Sequence, residues 1–204
     1  MTFFLRLLGR FFRCSSFGRL LASIMLALLL CCAGSVWAEG VAVQQASLEA
    51  DSVGGWNLDA RFDFQLNASL EDAVNKGVPL YFTTNFELKR GRWYWLDEQA
   101  VTTSQSIRLS FQPLTREYRV SSGGLQLGFE SLKEALAVIK HVTSWHVIDR
   151  AQVQPGETYT ASVRMRLDTD LMPKPFQIDA VNNRDWNLSS EWWRFPFTAT
   201  DHAK

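Results

Sequence analysis

The sequence predicts a mainly β fold, an antiparallel β-sandwich that is immunoglobulin-like in general architecture and has two short helices in its connections. Two observations predict this fold class. Several segments alternate apolar and polar residues with a period of two, which is typical of strands with one wet face. Strands of that kind belong to antiparallel sheets, because helices cover both faces of parallel ones. The second observation is that turn signals separate these segments at short intervals.

The clearest alternation runs from Trp56 to Leu66, where every second residue is apolar. The segments Ala161–Leu167 and Ile107–Phe111 repeat this pattern. Weaker strand signals cover Val41–Ala50, Leu80–Lys89, Arg92–Leu96, Tyr118–Val120, Trp145–Ile148 and Trp186–Phe197. Gly91 lies in a predicted hairpin connection, and Ser121–Gly124 is a predicted turn.

Two helices are predicted between these strands. Ser69 is the expected N-cap of the first helix, which Gly77 and Pro79 should end. The second helix should begin after Ser131, because Ser131 and Glu134 have the spacing of a capping box.

The first 38 residues are predicted to be a cleavable secretory signal, cut after Ala38. Four arginines precede an apolar run from Leu20 to Cys32, and small residues follow it. An uncleaved anchor would need about 18 or more apolar residues, and a lipid-modified cysteine or an organellar transit peptide fits the pattern less well. We therefore expect a periplasmic location, with membrane contact only through the uncleaved signal.

Residues 39–204 are expected to form a single domain with no cysteine, because Cys14, Cys31 and Cys32 all lie in the leader. That region has 17 basic and 21 acidic residues, a net charge of −4. This acidity disfavours nucleic acid or anionic lipid as the main partner, since both attract basic proteins.

Several phrases of the sequence resemble a known family. They are Gly77–Phe82, Arg90–Trp95, Leu114–Val120, Pro173–Gln177 and the closing Trp186-x-Leu188-x-Ser190-x-Trp192. Together they resemble DUF4390, a domain-of-unknown-function family of exported proteobacterial proteins, and the resemblance spans nearly all of residues 39–204. It implies a periplasmic setting, sometimes beside a gene for a sensor kinase. It implies no activity and no functional residue.

No catalytic, metal or cofactor motif is present in the sequence. His141 and His146 lack a third ligand at a zinc-site spacing, and the more ordinary interpretation has His141 at a helix C-terminus and His146 on a strand surface. Asp168-x-Asp170 lacks the further oxygens of a calcium loop. We expect a non-enzymatic protein without a cofactor; a hydrolase that uses either histidine stays a third hypothesis.

One cluster could form a binding surface for a protein partner. Its members are Arg92, Trp93, Trp95, Arg116, Tyr118 and Arg119. Arginines stacked on these aromatic rings would keep their guanidinium forks available for a carboxylate or phosphate. The competing interpretation is that the tryptophans belong to the core and the arginines cover them.

The expected function is therefore binding of a protein in the cell envelope, such as the outer part of a membrane protein like a sensor kinase. The alternative is binding of a small ligand or glycan on an aromatic platform that contains Trp93, Tyr94 or Trp192.

Overall fold

The structure, a computed structural model, describes residues 40–52, 54–91 and 98–199. Its strands are β1 (Ala42–Ala50), β2 (Trp56–Asp63), β3 (Leu80–Arg90), β4 (Glu98–Gln112), β5 (Glu117–Ser122), β6 (Leu125–Phe129), β7 (His141–Ile148), β8 (Thr158–Leu167) and β9 (Trp193–Thr198). The helices are α1 (Ala68–Asn75), α2 (Leu132–Ile139) and α3 (Lys174–Asn182). Short 3₁₀ turns lie at Arg150–Gln152, Thr169–Leu171 and Arg184–Trp186.

The strands form two antiparallel sheets. One has three strands in the order β1-β2-β7, and the other has six in the order β6-β5-β4-β3-β8-β9. This arrangement confirms the predicted fold class, a mainly β protein consistent with an antiparallel sandwich. The predicted leader, residues 1–38, lies outside the described residues, so cleavage and export stay predictions. Within the described part of the chain, none of the helices has the length and apolar character needed to cross a bilayer.

The core forms where the inner faces of the sheets meet. The alternating apolar residues from Trp56 to Leu66 are all buried, as the period of two predicted. Phe64 stacks on Phe82 of β3 with ring centroids 5.3 Å apart, and Trp56 meets Phe197 of β9 edge-on at 5.5 Å. Aromatic pairs of this geometry add to the stabilisation from area burial. They join the two sheets without any cysteine.

One of the two predicted turns lies wholly within the described residues and joins neighbouring strands. Gly123 and Gly124 link β5 to β6 with φ angles of 53° and 91°. A two-residue hairpin of this type needs positive φ at both positions, which glycine adopts without steric cost. Gly91 directly follows β3, and Arg90 pairs with Glu98 at the start of β4. The predicted strand Arg92–Leu96 lies outside the described residues.

Three elements differ from the predictions. The predicted strand Trp186–Phe197 is wrong over most of its length, because only Trp193–Thr198 is extended and Trp186 ends a 3₁₀ turn. The Asn183 side chain starts that turn by accepting a hydrogen bond from the Asp185 N–H at 3.0 Å. Strand β6 and helix α3 were not predicted. Proline occupies the first turn of α3, where its missing N–H costs nothing, although such a proline also suggests a loop.

Helix caps follow the local sequence rules, with one correction. Ser131 caps α2 as predicted, since its Oγ accepts from the Glu134 N–H at 3.3 Å. The cap of α1 is Asn67 rather than Ser69, because Asn67 Oδ1 accepts from the Leu70 N–H at 2.9 Å. The Ser69 hydroxyl instead donates to Asp185 Oδ2 at 2.7 Å, which anchors the helix start to the 3₁₀ turn at Arg184–Trp186.

We expect Asn67→Ala to lower the free energy of unfolding by about 1 kcal/mol, since it removes an N-cap. The variant also loses the bond from Asn67 Nδ2 to the Asp185 carbonyl at 2.6 Å. Urea denaturation measures the change. The matched variant Asn67→Ser keeps a side-chain oxygen at the cap position and should cost less; an equal or larger loss in Asn67→Ser would contradict the assignment of Asn67 as the cap.

Candidate functional site

The structure does not bring the described members of the predicted cluster together. Arg116 is exposed in the β4–β5 turn, where its φ is 57°. Tyr118 points inward, with its ring 4.9 Å from that of Phe111, and its hydroxyl donates to Asn75 Oδ1 at 2.7 Å. Arg119 is the next residue of β5 and therefore points to the opposite face. Arg92, Trp93 and Trp95 lie outside the described residues.

The predicted arrangement of an arginine on an aromatic ring occurs elsewhere, on the outer face of the six-stranded sheet. The guanidinium carbon of Arg164 lies 4.5 Å from the centroid of the Trp192 ring. Arg164 is on β8, and Trp192 lies just before β9. Because a guanidinium that stacks on a ring keeps its edges available, Arg164 is held in place while its N–H groups can still bind another group.

Register places further polar residues around Arg164. Asn85 of β3 pairs directly with Arg164, and Thr83 pairs with Arg166. Arg194 of β9 lies opposite Ser162, on the same outer face. We call Asn85, Arg164, Arg166, Trp192 and Arg194 the arginine face.

A hydrogen-bond network fixes one end of the arginine face. The Arg166 Nη2 atom donates to Asp168 Oδ2 at 2.9 Å, and the Thr83 hydroxyl donates to the same oxygen at 3.1 Å. Ser106 Oγ lies 2.7 Å from Thr83 Oγ1 and must donate to it, because the Thr83 proton already points to Asp168. Asp168 is only 6% exposed. It therefore compensates the charge of Arg166 from a fixed position.

Arg164 has no such compensation. Within the part of the chain that the structure describes, no carboxylate lies within ion-pair distance of Arg164 or Arg194, or of Arg108 on the same outer face. The acids of this face are already paired: Glu87 lies 2.7 Å from Lys89, and Glu117 lies 3.9 Å from Arg119. The outer face is thus locally positive on a domain whose net charge is negative.

Buried polar atoms without a hydrogen-bond partner concentrate at the same place. Among the described residues such atoms are Asn57 Oδ1, Asn85 Oδ1, Arg164 Nε and Arg166 Nε. All except the first belong to the arginine face. Native proteins satisfy most buried polar groups, so a local concentration of unsatisfied ones needs an explanation. Stacking and packing rather than hydrogen bonds hold the Nε atom of Arg164.

His141 and His146 have structural contacts. His141 Nδ1 lies 2.7 Å from the Ala137 carbonyl, so it donates to the last turn of α2, close to the expected role at a helix end. His146 Nε2 lies 2.9 Å from Asp149 Oδ1, and its Nδ1 lies 3.6 Å from Asp51 Oδ2. Both ring nitrogens of His146 therefore face carboxylates.

The Asp168-x-Asp170 segment forms a turn. Asp168 caps the 3₁₀ turn at Thr169–Leu171 by accepting from the Asp170 N–H at 3.3 Å. Within the residues described, no group of three or more His, Cys, Asp or Glu side chains is arranged to hold a metal ion. Of the proposed aromatic platform for a glycan, Trp192 carries Arg164 over its ring, while Trp93 and Tyr94 lie outside the described residues.

Comparison with known proteins gives a family match. The family model for the domain of unknown function DUF4390 matches residues 38–196, which is most of the chain. No curated protein and no solved structure is significantly similar to the chain. The resemblance noted in the sequence is therefore confirmed, and the chain belongs to the DUF4390 family.

Proposed function

We propose that this protein is a non-enzymatic binding domain of the periplasm, and that its arginine face binds an acidic segment of a partner protein in the cell envelope. The observation that supports this proposal is the position of Arg164. It stacks on Trp192, and no carboxylate of a described residue lies within ion-pair distance of it. By the family resemblance, a suitable partner is the outer part of a membrane protein such as a sensor kinase.

Charge selects the class of ligand. A carboxylate can bind the available edge of the Arg164 guanidinium in a planar, two-point contact. A lysine ammonium group in place of the guanidinium could not make this contact. The net charge of −4 over residues 39–204 makes long polyanions unfavourable ligands, whereas a short acidic segment meets only the local positive charge. An acidic protein segment therefore fits better than nucleic acid.

The expected strength is moderate. A hydrogen bond to a charged group contributes about 1.5–3 kcal/mol, and exposed ion pairs add about 1 kcal/mol or less. One acidic segment on this face would thus bind weakly or transiently, and its affinity would fall as salt increases.

A defined probe tests the proposal. We expect a synthetic extended peptide of alternating Glu and Thr to bind the wild-type domain at low salt, and the matched Gln/Thr peptide not to bind. We expect Asn85→Asp to weaken binding of the Glu peptide by about tenfold or more, because the new carboxylate would lie directly opposite Arg164 and compensate it. Isothermal titration calorimetry measures both effects.

Gln45→Glu is the control for net charge. It adds the same negative charge at an exposed position of β1, in the other sheet. Binding by Gln45→Glu should stay close to that of the wild type. Equal affinity for the Glu and Gln peptides, or equal weakening by the two variants, would show that the arginine face does not bind acidic segments.

A further inference from the structure

Strand β6 is a sheet edge that has no charge, proline or bulge. Natural edge strands carry charges, prolines or bulges that prevent another strand from pairing with them. The other edges in the described part of the molecule have such features: Arg194 and Pro196 in β9, a register shift between Val43 and Gln45 in β1, and register shifts in the pairing of β7. Strand β6 reads Leu-Gln-Leu-Gly-Phe, with no charge and no proline.

The register of the β5–β6 hairpin shows which backbone groups face outward. Ser122 and Leu125 flank the two-residue turn and pair with each other. Because this flanking pair is hydrogen-bonded in such a hairpin, Leu125, Leu127 and Phe129 bond to β5. The N–H and C=O groups of Gln126 and Gly128 therefore point away from the sheet, where an added strand could pair with them.

An apolar cleft lies beside this edge. It has a volume of about 460 Å³ and is lined mainly by residues of β4, β5, β6 and β7 and by Val138 of α2. Buried Ile107, Val120 and Val142 form part of its wall. Leu125 and Leu127 line it from β6 and are 64% and 41% exposed, respectively. A cleft with a mostly apolar wall next to an open sheet edge is a candidate binding site.

We infer that β6 and this cleft bind an extended segment of a partner protein, which adds a strand to β6 and places alternate apolar side chains in the cleft. In this mode of recognition the backbone gives affinity and the pocket selects side chains. The inference is independent of the arginine face, because it concerns the edge strand and the inner face of the same sheet.

The size of the site favours a peptide segment over a second copy of the chain. Strand β6 has 5 residues. A stable interface between two folded domains usually involves about 20–30 residues on each side. Pairing of β6 with its copy would bury much less than that, whereas a peptide can bend into the cleft and contact α2 as well.

Selection from a displayed library of short random peptides tests the inference. We expect enriched peptides to alternate apolar and polar residues, and a synthetic copy to slow hydrogen exchange at the Gln126 and Gly128 amides. Gly128→Pro should weaken binding of that peptide by about tenfold or more, because it removes one outward N–H, while an edge strand tolerates proline.

Gly128→Ala is the matched control, since it keeps the N–H group. A Cβ atom at this position would lie 3.7 Å from Glu117 Oε2, an ordinary contact. Binding should therefore survive in Gly128→Ala. Failure to enrich any peptide, or equal binding by the proline and alanine variants, would overturn the inference. Concentration-dependent dimerisation that Gly128→Pro abolishes would also overturn it, because the occupant would then be a second copy.

Discussion

Phe82→Ala should lower the free energy of unfolding by about 3–5 kcal/mol. Phe82 is 1% exposed and belongs to β3, near the centre of the six-stranded sheet. Its ring stacks on Phe64, which follows the last residue of β2 in the other sheet. Removal of the ring would leave a cavity at the junction of the two sheets, and the surrounding strands could not close it. Urea denaturation followed by circular dichroism measures the loss.

Leu114→Ala provides the comparison. Leu114 is 98% exposed in the β4–β5 turn, so its truncation should change the free energy of unfolding by no more than about 0.5 kcal/mol. Similar stability losses in the two variants would mean that Phe82 does not join the sheets in the way the aromatic contact indicates.

Arg164→Glu should reduce affinity for the alternating Glu/Thr peptide by about a hundredfold, since it removes a charge-assisted hydrogen bond and adds repulsion. The same variant should show little affinity for a Lys/Thr peptide, because Arg108 and Arg194 keep the outer face positive. Calorimetric titration with both peptides measures the two affinities. The free energy of unfolding should fall by only about 1 kcal/mol, because the variant loses the contact with Trp192 but no ion pair with a described residue.

Arg116→Glu carries the same change of charge at the exposed β4–β5 turn. It should leave both peptide affinities almost unchanged. If Arg116→Glu instead abolished binding of the Glu/Thr peptide and Arg164→Glu did not, the binding surface would lie at the cluster that the sequence suggested and not at the arginine face.

The fold class was predictable because a period of two is visible in the sequence itself. The alternation from Trp56 to Leu66 continues beyond Asp63, where β2 ends. The burial of Phe64 and Leu66 could therefore be predicted, although both lie outside the strand. Strand β6 alternates as well, but Gly128 occupies one of its polar positions, and a glycine inside a short segment weakens the strand signal. The N-cap of α1 was predicted at Ser69 and not at Asn67, although both are good cap residues, and only the contact with Asp185 assigns Ser69 another partner.

The chemistry of the candidate site was predictable, but its location was not. A guanidinium on a tryptophan ring is an expected use of these residue types. The pair that forms it, Arg164 and Trp192, lies in distant parts of the sequence and meets because β8 and β9 are neighbours. Cross-strand register also placed Asn85 opposite Arg164, which no local pattern indicates. Tyr118 and Arg119 are adjacent in sequence and therefore point to opposite faces of β5.

The arginine side-chain NMR spectrum tests the central claim most directly. The Nε–H signals of Arg164 and Arg166 can be assigned with the variants Arg164→Lys and Arg166→Lys. Upon titration with the Glu/Thr peptide, we expect the Arg164 signal to shift most and the Arg166 signal to shift less, since Asp168 already binds Arg166. An Arg164 signal that stays in place while the peptide binds would contradict carboxylate recognition at this face.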